Sequence, residues 1–198
     1  VVHHTGLIDD AVEARAYQLE AVDEALTGSM LLVLPTAAGK TAVAWMTIAE
    51  MLKRNKGWIL FIAPTNGLVD QHVRDLKRII KNIEKYNVIS MTGSIPPEKR
   101  KNLWNSARII VATPHVVRND VLTGNLSLQD CSHLIIDEAH HSTGKHPMAI
   151  TAELYNSEAG KPLILGMTAS PGSKTEIVAE ICERLKIERI HIRMAKET

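Results

Sequence analysis

The sequence predicts an α/β fold in which a parallel β-sheet carries helices on both faces, and three observations predict it. Short apolar, β-rich runs recur at 30–34, 58–63, 87–91, 108–112, 133–136, 163–167 and 189–193, the length and composition of strands. Several are apolar on consecutive positions, as strands covered on both faces are. Longer amphipathic stretches at 11–26, 40–53, 67–83, 97–106 and 176–185 lie between them, and this alternation is the pattern of βαβ units. In the third stretch Val69, Val73, Leu76, Ile79 and Ile80 recur at spacings of three and four, one face of a helix.

The 198 residues form one domain, 1–198, without an internal repeat, low-complexity tract or interdomain linker. A chain of this length buries about 70% of its unfolded surface, so it needs neither disulfides nor metal to fold. Residues 157–162 read as an exposed loop. Hydrophobic residues make up 45% and charged residues 23%, ordinary values for a globular domain. The formal net charge of +1 excludes a uniformly basic nucleic-acid-binding domain. Any nucleic-acid site must be a local stripe. Cys131 and Cys182 stand far apart, outside metal-ligand spacing, and read as reduced thiols of an intracellular, cytoplasmic protein. No signal peptide and no apolar run near ~20 residues is present.

The run at 30–34 leads into Pro35-Thr36-Ala37-Ala38-Gly39-Lys40-Thr41 and then a helical pattern, the strand–loop–helix context of a phosphate-binding loop. Backbone N–H groups at a helix start, aided by the helix dipole, surround phosphates. Gly39 allows close backbone approach, Lys40 offers a point charge to the β and γ phosphates, and Thr41 offers a hydroxyl to Mg²⁺. The pattern is incomplete, because Leu34 and Ala37 stand where such loops carry glycine. Taken alone, a loop opening a helix with a solvated lysine explains the same residues.

The run at 133–136 ends in Asp137-Glu138-Ala139-His140. Two carboxylates at the carboxyl end of an apolar strand are costly without partners, and ligands bind at that end of open parallel sheets. With Lys40 on another strand, the matching ligand is Mg²⁺·ATP. Asp137 is expected to hold Mg²⁺, and Glu138 to orient and deprotonate the attacking water. A helix N-cap is the alternative for the tetrapeptide alone. His140, His141 and His146 lack zinc-site spacing.

The two motifs together resemble a superfamily 2 helicase. Residues 35–41 resemble helicase motif I, and Asp137-Glu138-Ala139-His140 spells the DEAH form of motif II. Thr168-Ala169-Ser170 resembles motif III, Ala63-Pro64-Thr65 motif Ia, Thr113-Pro114 motif Ib, and Arg15-Ala16-Tyr17-Gln18 the Q motif. The stretches Thr92-Gly93-Ser94-Ile95-Pro96-Pro97-Glu98-Lys99-Arg100, 112–120 and 166–173 are similar to archaeal Hef-type helicases. That group includes the Fanconi anaemia M translocases and is related to Dicer and the innate RNA-sensing helicases. Ala37 departs from the glycine usual in Hef-type motif I, but alanine is tolerated there in Ski2-like helicases. Thr-Ala-Ser as motif III departs from the Ser-Ala-Thr usual in Ski2-like helicases.

The resemblance implies a RecA-like P-loop domain, the first lobe of a two-lobe motor. It implies ATP and Mg²⁺ as cofactors. The nucleotide contacts fall on Arg15, Tyr17, Gln18 and Pro35, Thr36, Ala37, Ala38, Gly39, Lys40 and Thr41. Gln18 reads adenine with a donor and an acceptor. Mg²⁺ falls on Thr41 and Asp137, and catalysis on Lys40, Asp137, Glu138 and His140. Thr168, Ala169 and Ser170 couple hydrolysis to motion through motif II. Thr65, Gln71, Thr92, Gly93, Arg100, Thr113 and Pro114 line the nucleic-acid face, contacting phosphates and sugars without reading bases. Turn and cap roles are the alternative for these residues. The cluster Lys99-Arg100-Lys101 is ordinarily a solvated helix face.

The chain ends soon after motif III, before the motifs IV to VI that belong to the second RecA-like lobe. In the family, that lobe carries arginine fingers, worth roughly 10³–10⁵ in rate. The expectation is a fragment of a longer motor that binds nucleotide but hydrolyses it slowly and unwinds nothing alone. The partner is DNA, branched or single-stranded, with an RNA-directed enzyme as the first alternative, because backbone contacts dominate both. A nucleotide-gated scaffold is opposed by the intact Lys40, Asp137 and Glu138. A P-loop kinase leaves Glu138 and motif III unexplained.

Overall fold

A computed structural model describes residues 4–8, 16–35, 39–54, 57–169 and 175–192. The strands are β1 (Met30–Val33), β2 (Trp58–Ile62), β3 (Val88–Met91), β4 (Ile109–Ala112), β5 (Cys131–Ile136), β6 (Ile164–Thr168) and β7 (Arg189–Ile192). The helices are α1 (Ala16–Thr27), α2 (Lys40–Arg54), α3 (Asn66–Ile79), α4 (Pro97–Ser106), α5 (Pro114–Leu122), α6 (Pro147–Glu158) and α7 (Thr175–Leu185). The strands form one seven-stranded sheet in the order β3-β4-β2-β5-β6-β1-β7, and every neighbouring pair is parallel. All seven apolar runs are strands, with ends displaced by one or two residues. The part of the first predicted helix at 11–15 lies outside the described residues.

Side chains alternate across the sheet, so each strand feeds two cores. Leu32, Phe61, Val111 and Ile135 pack beneath α1, α2 and α3. Leu31, Leu60, Ile110 and Leu134 pack beneath α5, α6 and α7, with Trp104 of α4. Inner strands are therefore buried at consecutive positions, as their continuous apolar runs predicted. No described helix is long and apolar enough to cross a membrane.

Two helices escape the sequence pattern. Both α5 and α6 begin with proline at a first-turn position, where the missing N–H costs nothing. The buried side of α6 includes Ala149, Thr151 and Ala152, which give little apolar contrast to read. Conversely, the predicted helix 67–83 stops early. Ile80 is extended, with φ −74° and ψ 126°, because it leaves the helix to bridge Leu7 in antiparallel fashion. Ile8 N–H and Lys81 N–H bond Ile79 O and Gly6 O on either side.

The loops after β3 and β4 rest on a buried ion pair. Arg100 of α4 donates to Asp120 of α5 through Nε at 2.8 Å and Nη2 at 2.7 Å, and its Nη1 donates to Ile95 O at 2.8 Å. Trp104 Nε1 adds a third donor to Asp120 at 2.7 Å. Burial alone would raise the Asp120 pKa, but the bonds from Arg100 and Trp104 overcome it and hold the carboxyl below its usual range. Asp120→Ala strands all three donors, and breaking a buried pair from one side costs about 3–5 kcal/mol. Urea denaturation of the variant checks that loss.

His133 lies inside β5 and is completely buried. Its Nδ1 is 2.9 Å from Leu163 O and its Nε2 is 3.4 Å from Thr47 Oγ1. Desolvation pushes its pKa down to about 4, against the opposing bond to Leu163 O. Between the unfolded value near 6.5 and about 4, the unfolded chain binds a proton that the folded chain refuses. Stability therefore falls as pH drops through that window, by about 3 kcal/mol in all from this residue. Denaturation curves at pH 7 and pH 4 for the parent and His133→Leu are expected to show the smaller loss in the variant.

Candidate active site

The strand order decides what meets at the carboxyl edge. β5, β6 and β1 are consecutive in the sheet, so Asp137, Thr168 and the loop after β1 converge. Gly39 is left-handed, with φ +73°, immediately before α2, and an added Cβ would lie 2.5 Å from Gln18 Nε2. Gln18 of α1 donates to Gly39 O at 3.1 Å, so its amide rests on the residue just before α2. Tyr17 is buried beside it in the core. Pro35 and Thr41 are half-buried at the two ends of the loop. Thr36, Ala37, Ala38, Arg15 and Ser170 lie outside the described residues.

Lys40 opens α2, and its Nζ reaches Glu138 Oε1 at 3.4 Å. Glu138 Oε2 lies 3.4 Å from His140 Nδ1. Thr168 donates its hydroxyl proton to Ala169 O at 3.0 Å. Its oxygen is thus left to accept from His140 Nδ1 at 3.1 Å. A line of polar contacts therefore runs Lys40, Glu138, His140, Thr168, from β1 to motif II and on to the end of β6. Burial and the neighbouring His141 hold the His140 pKa below its usual value, against the pull of Glu138. The His141 ring is tilted against His140, with centroids 4.2 Å apart, and stacks on His146, with centroids 5.4 Å apart.

Glu138 has left-handed backbone, φ 54° and ψ 46°, a conformation that costs a non-glycine residue about 1–2 kcal/mol. Such strain collects where geometry matters more than local stability. Asp137 is 5% exposed. Burial would raise its pKa, but the bond from His72, the charge of Lys40 and the Glu138 N–H hold it below the usual value. It is an ionised carboxylate beside a lysine and the start of a helix.

A second group gathers at the ends of β2, β4 and β3, also consecutive in the sheet. Thr65 follows β2, but its hydroxyl caps α3 by accepting from Leu68 N–H at 3.2 Å. Gln71 and Gly93 are exposed. The Thr92 hydroxyl pairs with Ser94 Oγ at 2.8 Å and is nearly buried. Thr113 is the N-cap residue of α5, and its side chain makes no capping bond. Pro114 is buried, and its carbonyl accepts from Thr151 Oγ1 at 3.2 Å. Arg100 requires correction as a strand contact: its guanidinium is buried and committed to Asp120 and Ile95 O. Its apparent membership in a basic cluster arose because sequence shows charge without direction.

The sequence reading missed His72, whose Nε2 lies 2.9 Å from Asp137 Oδ2. The signal was present. His72 falls on the buried stripe of α3 with Val69, Leu76 and Ile79, where a polar residue needs an explanation. Asp120 interrupts the Val116-Val117 stripe of α5 in the same way.

Comparison with known proteins gives one consistent grouping. The family model for DEAD/DEAH box helicases matches residues 15–178. A Methanocaldococcus jannaschii protein, provisionally named an ATP-dependent RNA helicase, is 41% identical over 97% of this chain. The ATP-dependent DNA helicase fml1 of Schizosaccharomyces pombe is 33% identical over 92%. The crystal structure of the Pyrococcus furiosus Hef helicase domain superposes over 98% of the chain with a TM-score of 0.90 and 37% identity. The chain spans 24% and 22% of the length of those two relatives and 41% of the Hef chain.

Gly39→Ala tests the cradle. The variant is expected to lose about 1–2 kcal/mol in urea denaturation from the left-handed backbone alone, and to release Gln18 from the loop. A variant as stable as the parent would mean that the loop has no need of this backbone.

Proposed function

The chain belongs to the DEAD/DEAH box helicase family, and from that premise we propose that it is the ATP-binding first lobe of a DNA helicase or translocase that works on branched or fork DNA. The observation that carries the reading is the continuous line of contacts from Lys40 through Glu138 and His140 to Thr168. It joins the phosphate loop, the acidic motif and the end of β6 in one site.

The residues present fit Mg²⁺·ATP. Gly39 provides the left-handed turn and Lys40 the cation at a helix start. Asp137 is the ionised oxygen donor, and Thr41 the hydroxyl, that would hold Mg²⁺. When bound, Mg²⁺ neutralises charge on the phosphates. In this structure Lys40 leans on Glu138, so phosphate binding must draw the lysine away and leave Glu138 to orient and deprotonate water. His140 Nδ1 faces both Glu138 Oε2 and Thr168 Oγ1, so a change at Glu138 reaches β6 through one ring nitrogen. Gln18, which donates to Gly39 O, is proposed to contact adenine.

The second lobe is proposed as the source of the remaining catalytic charge and of motion along nucleic acid. One observation supports it: this chain spans 41% of the Hef helicase-domain chain. Thr65, Gln71, Thr92, Gly93 and Thr113 are proposed to contact the strand backbone, which does not distinguish DNA from RNA by itself. DNA is favoured because the fission-yeast relative and others of its group are named DNA helicases. RNA remains the second reading on the name of the archaeal relative. The free thiols of Cys131 and Cys182 accord with an intracellular, cytoplasmic setting.

Titration of the chain with Mg²⁺ and a fluorescent ATP analogue tests the site. Lys40→Ala removes a charge-assisted phosphate contact worth about 1.5–3 kcal/mol, so affinity is expected to fall about tenfold or more. No binding by the parent chain would sink the reading. In the two-lobe protein, Glu138→Gln is expected to keep binding and to lose about 10²–10⁴-fold in hydrolysis. Stimulation of that hydrolysis by DNA in preference to RNA supports the first substrate reading, and the reverse supports the second.

A further inference from the structure

β2 and β5 are neighbours in the sheet, and they separate the two groups of loop residues. α3 leaves β2, and its second turn carries His72, which is 6% exposed. The imidazole stacks on Phe61 of β2, with centroids 4.4 Å apart and planes at 29°. Its Nε2 lies 2.9 Å from Asp137 Oδ2. An ionised carboxylate only accepts, so Nε2 donates. The other oxygen, Asp137 Oδ1, accepts Glu138 N–H at 3.0 Å. Both oxygens are therefore tied, one by backbone and one by a side chain from another element.

The second ring nitrogen sharpens the point. His72 Nδ1 is buried and has no hydrogen-bond partner among the described residues. A histidine placed for stability would satisfy both nitrogens. An apolar residue, like Val69 or Leu76 on the same stripe, would leave no polar atom unmet. The ring is thus steered by Phe61 on its face and Asp137 at one edge, and its one polar contact is the carboxylate.

We propose that His72 is a positioning residue that fixes the rotation of the Asp137 carboxylate and so sets in advance how Mg²⁺ is held. The proposal rests on the assignment of Asp137 to the metal. His72 acts only through Asp137. Residues of this kind, which orient a metal ligand from behind, change metal affinity about 10–100-fold when removed.

The test is a Mg²⁺ titration at fixed fluorescent ATP analogue, for the parent, His72→Leu, His72→Gln and Asp137→Asn. His72→Leu is expected to raise the Mg²⁺ concentration for half-maximal binding about tenfold or more. Nucleotide affinity in excess chelator stays at the parent value. His72→Gln keeps an N–H donor and is expected to return the midpoint to within about threefold of the parent. Should His72→Leu fail to fold, as judged by circular dichroism, His72→Asn takes its place, polar but too short to reach Asp137. A parent-like midpoint in the Leu or Asn variant overturns the proposal, as does a Gln variant no better than that variant. Asp137→Asn separates the two levels. If it shifts the midpoint while His72→Leu does not, only the positioning role fails. If it leaves the midpoint unmoved, the metal assignment fails and takes the proposal with it.

Discussion

Every strand of the sheet runs the same way, and this constraint organises the rest of the molecule. Parallel strands deliver all their carboxyl ends to one edge. The order β3-β4-β2-β5-β6-β1-β7 then sorts those ends by neighbour, not by sequence. Gly39 and Lys40, 137–140 and 168–169 are scattered over two-thirds of the chain, yet they follow three adjacent strands. Thr65, Thr92 and Thr113 follow three others, β2, β3 and β4. The seam between the groups lies between β2 and β5, where α3 hands a histidine across to Asp137.

Within the site, charge is balanced by shared contacts and not by isolated pairs. Glu138 stands between Lys40 and His140, and Asp137 between His72 and the Glu138 N–H. Each anion thus has two holders of different strength, one of which can let go without leaving a bare buried charge. On the far side of the sheet the Arg100–Asp120–Trp104 cluster does the opposite. Arg100 and Trp104 donate three bonds to one carboxylate, Arg100 gives another to Ile95 O, and the groups are nearly enclosed, so α4 and α5 hold together as a unit beneath the loops that carry Thr92 and Thr113.

Much of this was legible in the sequence. The strands declared themselves because burial on both faces leaves continuous apolar runs. Lys40, Asp137 and Glu138 declared themselves because charges at the ends of such runs need a reason. Thr168 was linked to motif II by resemblance, and the structure adds the atom, His140 Nδ1. What stayed hidden was direction. Arg100 looks like its neighbours Lys99 and Lys101 on paper, but α4 turns it inward while they remain exposed. Thr65 is one hydroxyl with two candidate duties, and the turn of α3 already occupies it. α6 was invisible because alanine and threonine bury well without contrasting with a polar face. His72 was visible only as an exception to the stripe that contains it.

The left-handed backbone of Glu138 has a consequence for how this domain drifts under mutation. Glycine or asparagine would sit at φ 54° with less strain than glutamate. Replacement at this one position therefore relaxes the backbone while removing the group proposed to activate water. Most disabling substitutions are opposed twice, by lost activity and by lost stability. This one is opposed by activity alone. A screen that selects for thermostability without assaying turnover would drift toward an inactive domain at residue 138, and that residue should be held fixed in any such campaign.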